Sequence, residues 1–182
     1  MGRWDELLSL LRSSIPAVGV VAYGSNAWNG SGQDYDLLAV VEDPELLKQR
    51  KTVEAYLRGQ TGLPVDLNIA TVGGLRYRAL LDPYVWHAVT TGRHIGYVPR
   101  PPRVISKRGA ELALLRIEML LEEADALELE GIERTEWLVP VAKSVAALEQ
   151  AMAGRADLKA YSRRVHELAD EAALRQAVAS LK

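Results

Sequence analysis

The chain has no cysteine and no phenylalanine among its 182 residues. Without thiols, disulfides and thiolate metal sites are excluded. The same absence fits a cytoplasmic setting, where structural disulfides are rare. Without phenylalanine, aliphatic residues with Trp and Tyr must fill the core. No segment approaches the roughly 20 apolar residues of a membrane-spanning helix, so no membrane partner is expected. The opening residues Met1-Gly-Arg-Trp-Asp-Glu carry early acids and read as the start of an amphipathic helix, not a signal peptide. Charge of one sign is also lacking: the formal net charge is −2. A polyanion-coating protein is excluded on that balance, and nucleic acid is not indicated as a partner beyond local contact. Internal repeats and low-complexity tracts are absent.

What is present suffices for a core. The hydrophobic fraction is 48%, enough for one domain or two small ones. Residues 4, 7, 8 and 11 are apolar at helical spacing, and Pro16 ends that element. Residues 17–23 (AVGVVAY) form a short valine-rich run and predict a buried strand. Residues 34–41 (DYDLLAVV) predict a second strand, and 65–70 (VDLNIA) a third. Between the last two, Asp43 is an N-cap candidate with Pro44 at the first helical position, and the helix runs to about residue 58. A further helix is expected over 75–91, kinked at Asp82-Pro83, followed by a last short strand within 92–98. The prolines of 99–106 read as a semi-rigid linker. Beyond it strand-like runs disappear. Three helices are predicted, about 107–130, 134–153 and 157–181, with breaks at Gly131 and Gly154; their apolar faces suit a bundle. The expected fold is therefore α/β (α+β): a small mixed sheet flanked by helices in residues 1–98, the linker 99–106, and a helical bundle in 107–182.

Chemistry concentrates in the stretch from Tyr23 to Val41. A buried strand ends at Gly24-Ser25, a loop follows, and the next strand opens with Asp34-Tyr35-Asp36. Strand side chains alternate between faces, so Asp34 and Asp36 point the same way. Two carboxylates that close repel each other unless a cation lies between them. Hard ions such as Mg²⁺ are held through one or two carboxylates together with substrate phosphates. Asp66 opens the third strand among apolar neighbours; if that strand pairs beside residues 34–41, it joins the other two, and three carboxylates can hold two ions for phosphoryl transfer. Gly24 allows backbone to approach a phosphate, and the Ser25 hydroxyl can add a hydrogen bond. The bland alternative is a solvated polar entry to the strand, with Asp66 as a strand-end cap.

Gly24-Ser25, then Asp34-Tyr35-Asp36 on the next strand, then Asp66, resembles the polymerase-beta-like nucleotidyltransferase superfamily over about residues 15–98. Ala27 matches the small forms of that superfamily, and Gly30 stands one residue late. The gap between Gly-Ser and Asp-x-Asp is eight residues, slightly short. The arginine frequent in this loop is missing, with Asn26 and Trp28 in the region. The resemblance implies transfer of a nucleoside monophosphate, AMP from ATP, to an acceptor hydroxyl with release of pyrophosphate. It implies Mg²⁺ or Mn²⁺ held by Asp34, Asp36 and Asp66, with Asp66 also taking the acceptor proton, and nucleotide contacts from Gly24 and Ser25. The acceptor is a small molecule or a partner protein. A helical domain after the transferase domain also resembles kanamycin-nucleotidyltransferase-like proteins, whose helical part helps bind the acceptor and often forms a homodimer. It equally resembles minimal transferases paired with HEPN toxins, where the transferase is an antitoxin that adds AMP to its partner. The rival to an enzyme is thus an antitoxin-like or scaffold module that binds a helical HEPN-type partner, with or without catalysis.

Other polar residues carry plainer readings. Trp28 reads as packing over the loop, with base stacking the alternative. His87 beside Trp86 reads as structural, and Arg93-His94 as a surface turn. Arg100, Arg103, Lys107 and Arg108 read as a solvated linker run, and Arg163-Arg164-Val165-His166 as a charged helix face.

Overall fold

A computed structural model describes residues 3–29, 34–129 and 135–182. The expected break at Gly131 lies outside the described residues, as does Gly30. The chain forms two compact units, Met1–Arg78 with Ala88–Pro101, and Ala79–His87 with Pro102–Lys182.

The first unit is built on a four-stranded mixed sheet. Helix α1 (Arg3–Ser14) leads into β1 (Ala17–Tyr23), a short helix α2 (Gly24–Asn29) follows, and β2 (Tyr35–Val41) returns antiparallel to β1. A 3-10 helix (Pro44–Gln49) and α3 (Arg50–Thr61) connect β2 to β3 (Val65–Thr71), which runs parallel to β2. A helical crossover is what a parallel pair requires. β4 (Arg93–Gly96) pairs antiparallel with β1 on its other side, giving the order β3-β2-β1-β4. The 3-10 helix starts as its sequence predicts: Asp43 accepts from the Glu45 amide at 2.9 Å, with Pro44 following.

Alternation along the strands separates two faces. Val20 and Ala22 of β1, Leu37 and Ala39 of β2, and Leu67 of β3 pack into a core with Leu7, Leu8 and Leu11 of α1 and Val53 and Leu57 of α3. Those apolar side chains are what stabilise the unit, each fully buried valine or leucine contributing about 1.5–3 kcal/mol. The opposite set of positions, including Tyr23, Asp36, Asp66 and Asn68, lies on the other face.

The second unit is helical. The helix expected over 75–91 is two helices, α4 (Val72–Leu81) and α5 (Pro83–Thr91). Pro83 starts a new helix, and the Asp82 carboxylate accepts from the amides of Tyr84 (2.9 Å) and Val85 (3.3 Å); a capped restart replaces the kink. Residues 79–87 group with the helical unit because their polar atoms are used there. The Ser106 amide and hydroxyl both donate to the Leu80 carbonyl, and Trp86 Nε1 donates to the Pro102 carbonyl at 2.7 Å. The Ile105 amide donates to the Ala151 carbonyl at 3.0 Å, so the second half of the proline-rich segment is part of this unit as well.

Helix α6 (Lys107–Leu129) packs on α7 (Thr135–Ala153), and α7 also contacts α8 (Leu158–Glu167) and α9 (Glu171–Ser180). The single helix expected over 157–181 is therefore split. The Asp170 carboxylate accepts from the Ala173 amide at 2.9 Å and opens a new helix after Leu168 turns out of the first. The small mixed sheet with flanking helices and a C-terminal helical region is the α/β class expected. Among the described residues no helix is long and apolar enough to cross a membrane.

Candidate active site

The site forms where β1 ends and where β2 and β3 begin. The Tyr35 amide donates to the Pro64 carbonyl at 2.9 Å, so β2 and β3 start level with each other. Asp36 is consequently paired with Asp66 in the parallel register, and Tyr23 is paired with Asp36 across the antiparallel one. Residues in register share a face. Tyr23, Asp36 and Asp66 thus form one row across three strands, with neighbours about 5 Å apart.

The Tyr23 phenol lies within reach of both carboxylates of the row. The Tyr23 phenol is pushed up to about 12, first by burial and next by the charge of Asp36; a hydrogen bond from Asn68 opposes this, Asp66 adds to it, and Arg78 lowers it. Asn68 Nδ2 donates to Tyr23 Oη at 3.0 Å. Tyr23 is buried, while Asp36 and Asp66 are partly exposed, so the row runs from the protein interior to water.

Gly24 follows Tyr23 directly and has φ +78°, in the left-handed region. A Cβ at this position would lie 1.9 Å from Asp36 Oδ2. Only glycine allows the chain to turn into α2 there with its backbone against the Asp36 carboxylate. The buried Asn26 of α2 donates from Nδ2 to the Asp34 backbone carbonyl at 3.2 Å, which holds the approach to β2. The side chains of Ser25 and Trp28 lie outside the described residues.

Asp34 is exposed at a bend just before β2. Among the described residues no group of three or more His, Cys, Asp or Glu side chains is gathered as a metal-holding cluster. The structure thus brings Asp36, Asp66 and Gly24 together, with Asp34 next to them in the chain.

Asp66 also faces α3. Arg50 Nη2 donates to Asp66 Oδ1 at 2.9 Å, and Arg50 Nε lies 3.8 Å from Glu54. One turn on, Glu54 accepts from the Leu67 amide at 3.3 Å, and Arg58 donates to the Val65 carbonyl from Nε (3.0 Å) and Nη2 (2.7 Å) while pairing with Glu54 at 2.8 Å. Arg50, Glu54 and Arg58 recur every fourth residue on one helix face. They grip the outer edge of β3, whose backbone groups would otherwise be left for solvent or another strand. Sequence reasoning missed Arg50 and Asn26: the four-residue spacing on α3 is visible in the sequence, but the strand it faces is not.

Several of the remaining polar residues are engaged elsewhere. Arg93 pairs with Asp5 at 3.8 Å, and His94 Nε2 lies 2.8 Å from the Val89 carbonyl oxygen. His87 is fully buried in the helical unit, 4.3 Å from the Tyr161 ring centre. Arg108 pairs with Glu111 at 3.6 Å. Arg164 makes two 2.8 Å contacts to Glu149, which hold its guanidinium well above the ordinary range. No family model, curated protein or solved structure matches the chain.

Proposed function

We propose that this protein is a metal-dependent nucleotidyltransferase of the polymerase-beta-like kind, moving AMP from ATP to an acceptor hydroxyl. The observation that carries the reading is the level placement of Asp36 and Asp66 on adjacent strands, with the Gly24 backbone against the Asp36 carboxylate. Two partly exposed carboxylates with no thiol or imidazole between them fit a hard divalent ion such as Mg²⁺ or Mn²⁺, which completes its shell with water and phosphate oxygens. When bound, such an ion supplies charge neutralisation at the phosphates in the in-line transition state.

The residues of the chain then have distinct work. Asp36 and Asp66 would hold the ion, with Asp34, close to Asp36 in the chain, as the third carboxylate. Gly24, and Ser25 after it, keep the strand end open for phosphate oxygens. Asp66 takes the acceptor proton while the acceptor oxygen bonds to the α-phosphorus. The bond from that phosphorus to the bridging oxygen breaks, and pyrophosphate leaves with the electron pair. The buried Tyr23 stays protonated, so it adds no negative charge beside the two carboxylates.

The test is calorimetric titration of ATP with Mg²⁺ into the wild type and into the double variant Asp34→Asn, Asp36→Asn. Binding is expected in the wild type and abolished in the variant, with an unchanged circular dichroism spectrum. Equal titrations in both would remove the proposal. Labelled ATP incubated with the protein and a cell extract then identifies the acceptor by the label it gains.

A further inference from the structure

Helix α6 uses one face in the bundle and leaves another to water. Gly109, Ala113, Ile117 and Leu121 recur every fourth residue and are buried. On the other side Leu112, Leu115 and Met119 are 39%, 53% and 60% exposed. A single exposed apolar residue is ordinary, but three at successive spacings of three and four form a continuous seam. Arg108 continues the seam toward the helix start and Glu122 toward its end, both exposed. The spacing from Arg108 through Leu112, Leu115 and Met119 to Glu122 is that of the a and d positions of a heptad, the pattern that seats one helix on another. The charges at its two ends are opposite in sign, Lys107 and Arg108 at one, Glu122 and Glu123 at the other. Leu115 lies midway between them, seven residues from both Arg108 and Glu122. A two-fold axis at Leu115 therefore brings the basic end of one helix level with the acidic end of an identical, antiparallel one, at both ends at once. A parallel pair would set like charges together.

We propose that the chain forms a two-fold homodimer through α6, the two helices antiparallel, with Leu112, Leu115 and Met119 packed at the centre and Arg108 paired with Glu122 of the second copy. Arg108 lies 3.6 Å from Glu111 of its own helix, an exposed pair. Such a pair contributes little and is readily exchanged for another carboxylate. The apolar centre supplies the affinity, and the end charges supply the direction. The seam lies in the helical unit and owes nothing to the candidate active site.

Sedimentation velocity on the whole chain, from about 2 to about 200 µM, covers the dissociation constants expected of an interface this small. The wild type should pass from monomer to dimer within that range. Leu115→Glu, which sets two carboxylates against each other on the axis, should weaken association about tenfold or more, with an unchanged circular dichroism spectrum. Arg108→Glu and Glu122→Arg should each weaken it about three- to tenfold. The chain carrying both reversals should return to within about twofold of wild type, because its ends match again. A wild type that stays monomeric throughout overturns the homodimer and leaves the seam to a helix of another protein. A dimer that Leu115→Glu does not weaken is built on a different surface and overturns it too. Single reversals without effect, or a double reversal that fails to restore association, overturn the antiparallel pairing and the proposal with it.

Discussion

The two units handle their charged groups in different ways. In the helical unit three cations are matched within the unit, Arg164 by Glu149 and Glu167, Arg175 by Asp125 and Glu171, Lys182 by Glu118, as Lys48 by Glu45 and Arg58 by Glu54 are in the sheet unit. The buried histidine of the helical unit is kept neutral. In the sheet unit two carboxylates stand side by side at the level start of two strands, with one arginine on the outer member and a phenol on the inner side. Matched pairs on a surface contribute little each and leave no strong field. Like charges held close on rigid strands repel unless a positive group lies beside them, and here Arg50 pairs with Asp66 at 2.9 Å. Both units pack an apolar core, and the sheet unit differs in bringing two carboxylates into register on adjacent strands.

The largest expected effect that would break this comparison comes from Gly24. Gly24→Val forces a side chain into the left-handed region and onto the Asp36 carboxylate. It should cost about 3 kcal/mol of stability, the upper end of such backbone strain, and abolish nucleotide binding. Urea melts of the variant, read beside an ATP titration, check both parts. A stable Gly24→Val protein that binds ATP normally would show that the close approach is dispensable.

Next in size is the pH response of the helical unit. Burial lowers His87 to about 4 from its ordinary 6.5. The unfolded chain therefore takes up a proton below pH 6.5, whereas the folded one does not until about pH 4. The stability contributed by neutral His87 is whole above 6.5, falls as pH drops through this window, and levels off below it. By pH 5 the loss is about 2 kcal/mol. Denaturant melts of wild type and His87→Phe between pH 7 and 5 measure it. The slope should flatten in the variant, and equal slopes would mean that another group sets the acid sensitivity.

The smallest effect sharpens the boundary between α8 and α9. Asp170→Ala removes the side-chain cap that restarts the chain as a separate helix, at a cost of about 1 kcal/mol. A melt unchanged to within experimental error would mean that packing around Leu174 holds α9 without its cap.

Much of the architecture was legible along the chain. The apolar runs of β1, β2 and β3 announce strands because buried strands read as short valine- and leucine-rich segments bounded by turns. Asp43-Pro44 announces a helix start by local chemistry, and the Ala- and Leu-rich second half announces helices by its periodicity. In the sequence pattern the capped restarts at Asp82 and Asp170 look like a kink and helix interior, because an aspartate in a helical pattern declares itself a cap only when its carboxylate bonds the amides that follow. Residues 79–87 looked like part of the sheet domain because hydrogen bonds from Ser106 and Trp86 join positions far apart in the chain.

The candidate site divides along the same line. That Gly24 closes the strand before Asp36 follows from glycine's missing side chain, a local property that the order of residues carries by itself; alternation puts Asp34 on the same face as Asp36, but β2 begins at Tyr35 and Asp34 lies at an exposed bend before it. Which residue sits beside Asp36 is a matter of register. The bond from the Tyr35 amide to the Pro64 carbonyl, and the parallel pairing it sets, bring Asp66 level and turn Arg50 of α3 onto it. Order along the chain determined the elements and the kinds of side chain available. Only tertiary pairing decided which charges became neighbours, because electrostatic interaction depends on distance in space and the strands that supply these groups are joined through a whole helical crossover.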